Sequence, residues 1–405
     1  MRRHTGSRPF LAIPVASFVL AIAAPSLGRV SAPILKATGV GGSIGAETTA
    51  PRSLFTYLGT EQVTPDGNYL GGGFIRIYNA PTAGRLLVTF NTGLDQPEGS
   101  CVESAHAYKE YTPDLQETGN KGDISCVGGV DIGSLLVGNT YYLATMHREG
   151  DQQGWQITTY DATTWVQQAS IFRPVDYPRE VDNDPMVAYV NGQIDFSSQY
   201  NASGAPPDFW TGAATFHFLF TPDLQFVEEK ILADTPSEHG SAMLYLDGTY
   251  HLVTANAFLG DVVVIRYDAS WSYLGVKTLL TNGHFSEGLG FDGQRFYVAY
   301  MDTSLRTPVT GLPVSLNVRL AAFDRDWNLI EDIPVTSFTW ADLRQPGRPY
   351  LLLHGNRLYV SYDCDTIDPV THQENVKGQA YVVMYEVAAA PRRPVHRRLR
   401  RSGPD

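Results

Sequence analysis

Six glycines, Gly84, Gly138, Gly192, Gly248, Gly293 and Gly355, each stand between two apolar runs and recur at intervals of 54, 54, 56, 45 and 62 residues. Representative units are Met186-Val-Ala-Tyr-Val-Asn-Gly192-Gln-Ile-Asp-Phe196 and Tyr350-Leu-Leu-Leu-His-Gly355-Asn-Arg-Leu-Tyr-Val-Ser-Tyr362. An Asn-Gly or Asp-Gly pair between such runs marks a hairpin, because both central residues of a type I′ turn need positive φ. A second signature follows in five units: Tyr111-Thr-Pro-Asp-Leu115, Tyr160-Asp-Ala-Thr-Thr-Trp165, Phe220-Thr-Pro-Asp-Leu224, Tyr267-Asp-Ala-Ser-Trp271 and Phe323-Asp-Arg-Asp-Trp327. Its proline and aspartates are type I turn residues, so each unit predicts two successive hairpins. Six such units predict an all-β chain, a six-bladed β-propeller of four-stranded antiparallel blades. A β-sandwich and a five-bladed wheel with an extra hairpin are the alternatives. The sixth unit lacks one strand, which Ser53-Leu-Phe-Thr-Tyr-Leu58 can supply as the outermost strand, closing the ring without an exposed edge.

Composition agrees with this reading. The 405 residues include 38 Gly and 22 Tyr, with 18% charged residues against about 25% in ordinary globular proteins. Disorder and coiled coil are excluded. Net charge is −12, but residues 391–405 carry +5 and residues 1–28 carry +3, which leaves −20 between them. A body so acidic repels nucleic acid, and the Arg-rich tail is the only element suited to an anionic surface. Residues 1–28 combine Arg2, Arg3 and Arg8 with an apolar run over 10–24 and Ala21-Ile-Ala23, the pattern of a signal peptide. The expected organisation is therefore a signal peptide (1–28), a flexible lead-in (29–52), the propeller (53–390) and a disordered Arg-rich tail (391–405). The protein is expected to be secreted, periplasmic or displayed at the cell surface, and monomeric. In an oxidising compartment Cys101 and Cys126 pair, since one opens the third strand of blade 1 and the other closes its fourth, at the same sheet end. Cys364 is then a single remaining thiol. Asn201-Ala-Ser203 fits a glycosylation acceptor.

The long connections between second and third strands, Gln199–Gly212, Met301–Pro313 and Tyr362–Gly378, fall on the face opposite the glycine turns, where function usually resides. On that face the residues preceding the innermost strands are polar: Asp131, Asp182 and Asp184, Glu238 and His239, Glu287, and Arg348. Carboxylates that converge on a channel mouth raise one another's pKa, as acid–base chemistry requires. A salt-bridged, solvated rim with Arg348 neutralising its neighbours is the bland alternative.

Asp184-Pro185 ahead of an apolar strand and Asn-Gly turn, and Ser286-Glu287-Gly288 ahead of Gly293-Gln-Arg-Phe-Tyr-Val-Ala-Tyr300, resemble the motifs of family 43 glycoside hydrolases and their relatives. In that family, five blades project an Asp base, a second Asp and a Glu acid into an axial pocket. The resemblance implies that Glu287 is the general acid, that Asp131 activates water and that Asp184 orients it or tunes the acid. Substrate contacts would come from Glu238, His239, Arg348 and Trp210, and Tyr141 or Tyr142 can stack on a sugar face. Asp363, Asp365 and Asp368 lie close enough in sequence for a calcium site, without EF-hand spacing. No paired-histidine zinc motif occurs, and no other cofactor is expected. The functional expectation is a secreted carbohydrate-binding propeller that acts as a glycoside hydrolase; the alternative is a non-catalytic propeller that binds a glycan or protein on its long loops.

Overall fold

The computed structural model describes residues 53–64, 69–70, 75–92, 106–126, 132–149, 152–174, 185–200, 214–232, 241–256, 260–306, 313–314, 317–367 and 374–389. Over these residues the repeat becomes six antiparallel blades, each written here from the innermost strand outward. Blade 1 is Arg76–Asn79, Leu86–Asn91, His106–Tyr111 and Glu117–Ser125; blade 2 is Ile132–Val137, Thr140–Glu149, Gln152–Asp161 and Gln167–Pro174. Blade 3 is Met186–Val190, Gln193–Tyr200, Ala214–Phe220 and Phe226–Leu232, and blade 4 is Ser241–Leu246, Thr249–Asn256, Asp261–Asp268 and Tyr273–Leu280. Blade 5 is Gly283–Phe291, Phe296–Asp302, Asn317–Phe323 and Leu329–Pro334. Blade 6 joins Arg344–His354, Arg357–Ile367 and Glu374–Val387 to the N-terminal strand Phe55–Gln62.

The six repeat glycines all adopt positive φ at the turn between first and second strands. At Asn191-Gly192 and Asp247-Gly248 both central residues do so, the type I′ geometry that matches strand twist. The ring closes as expected. Phe55 pairs with Val387 and Gln62 with Tyr381, and Leu54 O accepts from the Ala388 amide at 2.9 Å. Phe55 is buried between the rings of Tyr297 and Tyr385, at 6.1 and 6.2 Å, so the closing strand is anchored by packing as well as by its ladder.

The core is divided into six wedges, one between each pair of neighbouring blades. Two strand faces meet in each wedge, so the second and third strands are largely buried even where polar residues interrupt the apolar ones, as at Thr89, His106 and His217. The turn between third and fourth strands completes the wedge. In blade 5, Asp324 O accepts from the Trp327 amide, and the Asp324 carboxylate accepts from the amides of Asp326 and Asn328. The next position is left-handed, with φ between 57° and 65° at Leu115, Trp165, Leu224, Trp271 and Trp327. Glycine normally occupies such a site, because a Cβ there costs about 1–2 kcal/mol. The left-handed backbone turns the side chain into the interface with the preceding blade. Trp271 stacks on Tyr250 at 4.1 Å and lies 5.4 Å from His217 of blade 3; Trp327 stacks on Phe296 at 3.9 Å and donates from Nε1 to His251 Nδ1 of blade 4 at 3.1 Å. Burial of a large ring thus offsets the backbone strain.

Two sequence expectations change. The connection expected over Tyr362–Gly378 is mostly sheet: its flanking strands run on to Ile367 and restart at Glu374, leaving only 368–373 between them. Asp363, Cys364 and Asp365 are all buried within this extended ladder rather than exposed on a loop. The second-to-third connections also alternate in length, being long in blades 1, 3 and 5 but reduced to residues 150–151 in blade 2 and 257–260 in blade 4.

Candidate functional site

The innermost strands of blades 5 and 6 are each broken by a bulge. In blade 5 the register jumps from Phe285 opposite Tyr300 to Gly288 opposite Ala299, so Ser286 and Glu287 are additional to the ladder. In blade 6 it jumps from Gly347 opposite Asp363 to Tyr350 opposite Ser361, around Arg348 and Pro349. Arg348 has φ of 41°, a left-handed conformation outside the preferred range of a long side chain. The bulges touch: a Cβ at Gly288 would lie 3.1 Å from Pro349 O and 2.7 Å from Ala299 Cβ. Only a glycine lets the two innermost strands approach so closely. The backbones of Glu287-Gly288 and Arg348-Pro349 are therefore neighbours near the end of the channel opposite the glycine turns. Bulges re-aim side chains and are concentrated at functional sites. The Glu287 side chain lies outside what the structure describes.

Arg348 leads into a buried polar group on blade 6. Its Nη1 is 3.9 Å from Asp363 Oδ2, whose side chain is 5% exposed. Arg344 Nη1 donates to Gln379 Oε1 at 3.1 Å and to the Tyr381 hydroxyl at 3.0 Å, and Tyr381 donates in turn to Gln379 Oε1. Tyr362 stacks on Tyr381 at 5.4 Å, and between them in sequence Cys364 is a free, buried thiol. Burial pushes the Cys364 pKa up to about 12, against the opposing pull of Arg344. Such a thiol is protonated and inert, so no nucleophile is formed here. Toward the axis, Tyr350 packs against Tyr78 at 5.7 Å and lies beneath the Arg76 guanidinium at 5.2 Å.

Asp363 and Asp365 lie two apart within the strand Arg357–Ile367, on one face. Asp368 lies outside the described residues, and among the described residues no group of three His, Cys, Asp or Glu side chains is arranged to hold a metal ion.

Asp131, Asp182, Asp184, Trp210, Glu238 and His239 also lie outside the described residues. The strands they precede are described. Asp131 comes immediately before Ile132, the start of blade 2, and Asp184 before Pro185, which leads into blade 3. A Cβ at Gly133 would lie 2.6 Å from Pro185 O, so these two strand starts are side by side. Blades 2 and 3 thus form one adjacent pair and blades 5 and 6 another, on opposite sides of a six-bladed ring. Cys101 lies outside the described residues; Cys126 follows directly on the outermost strand of blade 1.

Tyr141 and Tyr142 are not sugar platforms. Both are fully buried: the Tyr141 hydroxyl lies 2.6 Å from His106 Nε2, and Tyr142 donates to Pro222 O at 2.6 Å. They are interblade core, which the strand alternation alone could not distinguish from a channel lining. His106 Nδ1 lies 2.8 Å from Asn91 Oδ1, and burial first, then the Arg76 charge, lowers its pKa to about 3. A comparable polar chain occupies the interface of blades 3 and 4, where His217 bridges Asp195 Oδ2 at 2.8 Å and Thr215 Oγ1 at 3.1 Å with no solvent access. Neither histidine lies in a recognisable motif; the one sequence signal is at His217, a polar residue inside the largely apolar strand Ala214–Phe220. A cavity of about 780 Å³ opens instead on the glycine-turn face, lined by Tyr78, Asn79, Leu136, Asn139, Tyr350 and Leu352 among others.

No family model matches the chain, and no curated protein does. Similarities to solved structures are found. The chain is similar to the subtype N11 neuraminidase-like protein of A/flat-faced bat/Peru/033/2010 (H18N11), with a TM-score of 0.48 and 10% identity over 83% of this chain and 96% of that one. It is similar to a neuraminidase-like protein from A/bat/Guatemala/164/2009, with a TM-score of 0.46 and 8% identity over 83% and 96% of the two chains. It is also similar to a family 43 β-xylosidase/α-arabinofuranosidase from a compost microbial metagenome, with a TM-score of 0.41 and 16% identity over 69% of this chain and 98% of that one. By its own sheet topology the chain is a six-bladed β-propeller of four-stranded antiparallel blades.

Proposed function

We propose that this protein is a secreted carbohydrate-binding β-propeller that hydrolyses a glycosidic bond at the mouth of its central channel. The observation that carries the reading is the pair of touching bulges at Glu287-Gly288 and Arg348-Pro349, a local departure from ladder geometry in two adjacent innermost strands. In this reading Glu287 is the general acid, Asp131 activates water and Asp184 orients it, with Arg348, Glu238, His239 and Trp210 holding the sugar. Inversion requires acid and base carboxyls about 6.5–9.5 Å apart with water between them. Strands from blades 2 and 5, facing each other across the channel, suit a substrate held between the two groups.

The second reading is a non-catalytic glycan binder. It is favoured by the Arg348–Asp363 pair, in which a buried carboxylate already takes up the charge of the arginine. One experiment separates them: a screen of glycan binding and of glycoside turnover, run on the mature protein and on Glu287→Gln. The hydrolase reading expects binding to be retained and kcat to fall by about 10²–10⁴-fold, the usual contribution of a general acid. Turnover unchanged in the variant overturns the role of Glu287. Binding without turnover in the unaltered protein selects the binder.

A further inference from the structure

The last aromatic residue of each third strand identifies one equivalent position on every outer strand. Tyr111 is paired with Glu117, Tyr160 with Gln167, Phe220 with Phe226, Tyr267 with Tyr273, Phe323 with Leu329 and Tyr385 with Tyr57. Blades 1 and 2 are polar there. Blades 3 to 6 are apolar, and the following residue is apolar as well: Val227, Leu274, Ile330 and Leu58. With Ile231 and Val276, the outer strands of blades 3 to 5 present eight large apolar side chains between 41% and 60% exposed. At about 150–200 Å² per fully exposed side chain, they offer roughly 600–800 Å², more than a monomer usually shows and close to one partner's share of a standard interface.

Blade 4 lies at the centre of this patch and is its least protected strand. Outer strands are ordinarily guarded by charge or proline. Blade 3 has Glu228, Glu229 and Lys230, and blade 5 has Glu331, Asp332 and Pro334, whereas Tyr273-Leu-Gly-Val-Lys-Thr-Leu-Leu280 has one charge. That charge, Lys277, is directed at blade 5, where Nζ donates to Asp326 O at 2.9 Å and Asn328 Oδ1 at 3.0 Å. The outward row Leu274, Val276 and Thr278 is uncharged. We infer that the outer rims of blades 3 to 5 form a two-fold interface with a second copy of this chain, centred on Val276. The occupant follows from charge and area. An anionic bilayer is disfavoured by the exposed turn carboxylates of Asp268 and Asp324 beside the patch, while two copies of the uncharged row Leu274, Val276 and Thr278 meet at its centre without opposing like charges. A self-complementary apolar surface of this size is what an isologous dimer needs. This proposal departs from the monomer expected from the sequence.

The test is sedimentation velocity on the full protein from about 1 to about 100 µM, a range that brackets micromolar dissociation. A dimer is expected. Near a two-fold axis Val276 faces its own copy, so Val276→Glu and Val276→Lys each weaken association at least tenfold, and an equimolar mixture of the two restores it. Recovery on mixing cannot come from a misfolded variant. Leu58→Ser on blade 6, outside the interface, leaves the dimer intact and controls for general loss of surface apolarity. A monomer at every concentration, a dimer unaffected by Val276→Lys, or a mixture that stays monomeric overturns the inference. So does a monomer that instead floats with uncharged phosphatidylcholine vesicles.

Discussion

Trp327 offers a direct measurement of how the blades are joined. Its ring is 3% exposed, stacked on Phe296 with planes 7° apart, while its backbone is held at φ of 62°. Replacement by alanine removes the buried ring and should cost about 3–5 kcal/mol, the range for large aromatic truncations. Replacement by glycine removes the same ring but also relieves the left-handed strain of about 1–2 kcal/mol. Glycine gives back about 0.5–1 kcal/mol through its freer unfolded chain. The net expectation is that Trp327→Gly is more stable than Trp327→Ala by about 0.5–1 kcal/mol, the reverse of the order at ordinary strand positions. At about 2 °C per kcal/mol for a domain of this size, both variants melt roughly 5–10 °C below the parent, with the glycine variant higher by about 1–2 °C. Paired calorimetric scans at one protein concentration and scan rate resolve that difference. An alanine variant as stable as the glycine variant, or a loss below 1 kcal/mol for either, refutes the wedge account. Retained activity in both would place the effect in the architecture alone.

Two further predictions concern buried titratable groups. His106 titrates near 6.5 when unfolded and about 3 when folded, so between those values the unfolded chain binds the additional proton; His251, lowered to about 4 mainly by burial, acts in the same direction. Stability is therefore fully present above about pH 6.5 and falls as pH drops, by roughly 1.4 kcal/mol per unit for His106 alone. The exposed turn aspartates, held low by their hydrogen bonds, act only below about pH 4. Urea midpoints that stay flat from pH 7 to 4.5 contradict this, and His106→Asn should flatten them in part. For the cysteines, Cys364 should resist thiol reagents in the folded protein, because its pKa stands near 12. We propose that Cys101 and Cys126 are disulfide-bonded, so unfolding without reductant should release one reactive thiol per chain; three would refute the pairing.

The architecture was legible because its signals are local. Positive φ at a glycine turn, type I chemistry ahead of the outer strand and alternating apolar runs each depend on a few consecutive residues, and their repetition counted the blades. Even ring closure could be inferred, since a missing strand in the last unit and an unattached strand before the first are both visible in the chain. Leu115 and Trp327 show where that legibility stops. Their turn was recognisable, but not that a bulky residue takes the left-handed position, because the compensation comes from a neighbouring blade. Tyr141 and His106 were hidden for the same reason: whether a strand residue faces a channel or a wedge is decided by how blades pack. Asp363 looked like part of a loop until its strand was seen to continue in pairing with Glu374–Val387.

The candidate site divides along the same line. The residue types near each innermost strand were set by the sequence, and Glu287, Arg348 and Asp184 could be singled out there. That Glu287 and Arg348 occupy touching bulges, that the strands after Asp131 and Asp184 abut, and that the two pairs stand across one ring follow only from tertiary structure. So does the exposed apolar rim of blades 3 to 5, since apolar residues on an outer strand read the same in sequence as those packed in a wedge. Local backbone preferences act over a few residues and determined the repeat; exposure, charge pairing and the approach of distant strands arise only when six repeats close into a ring.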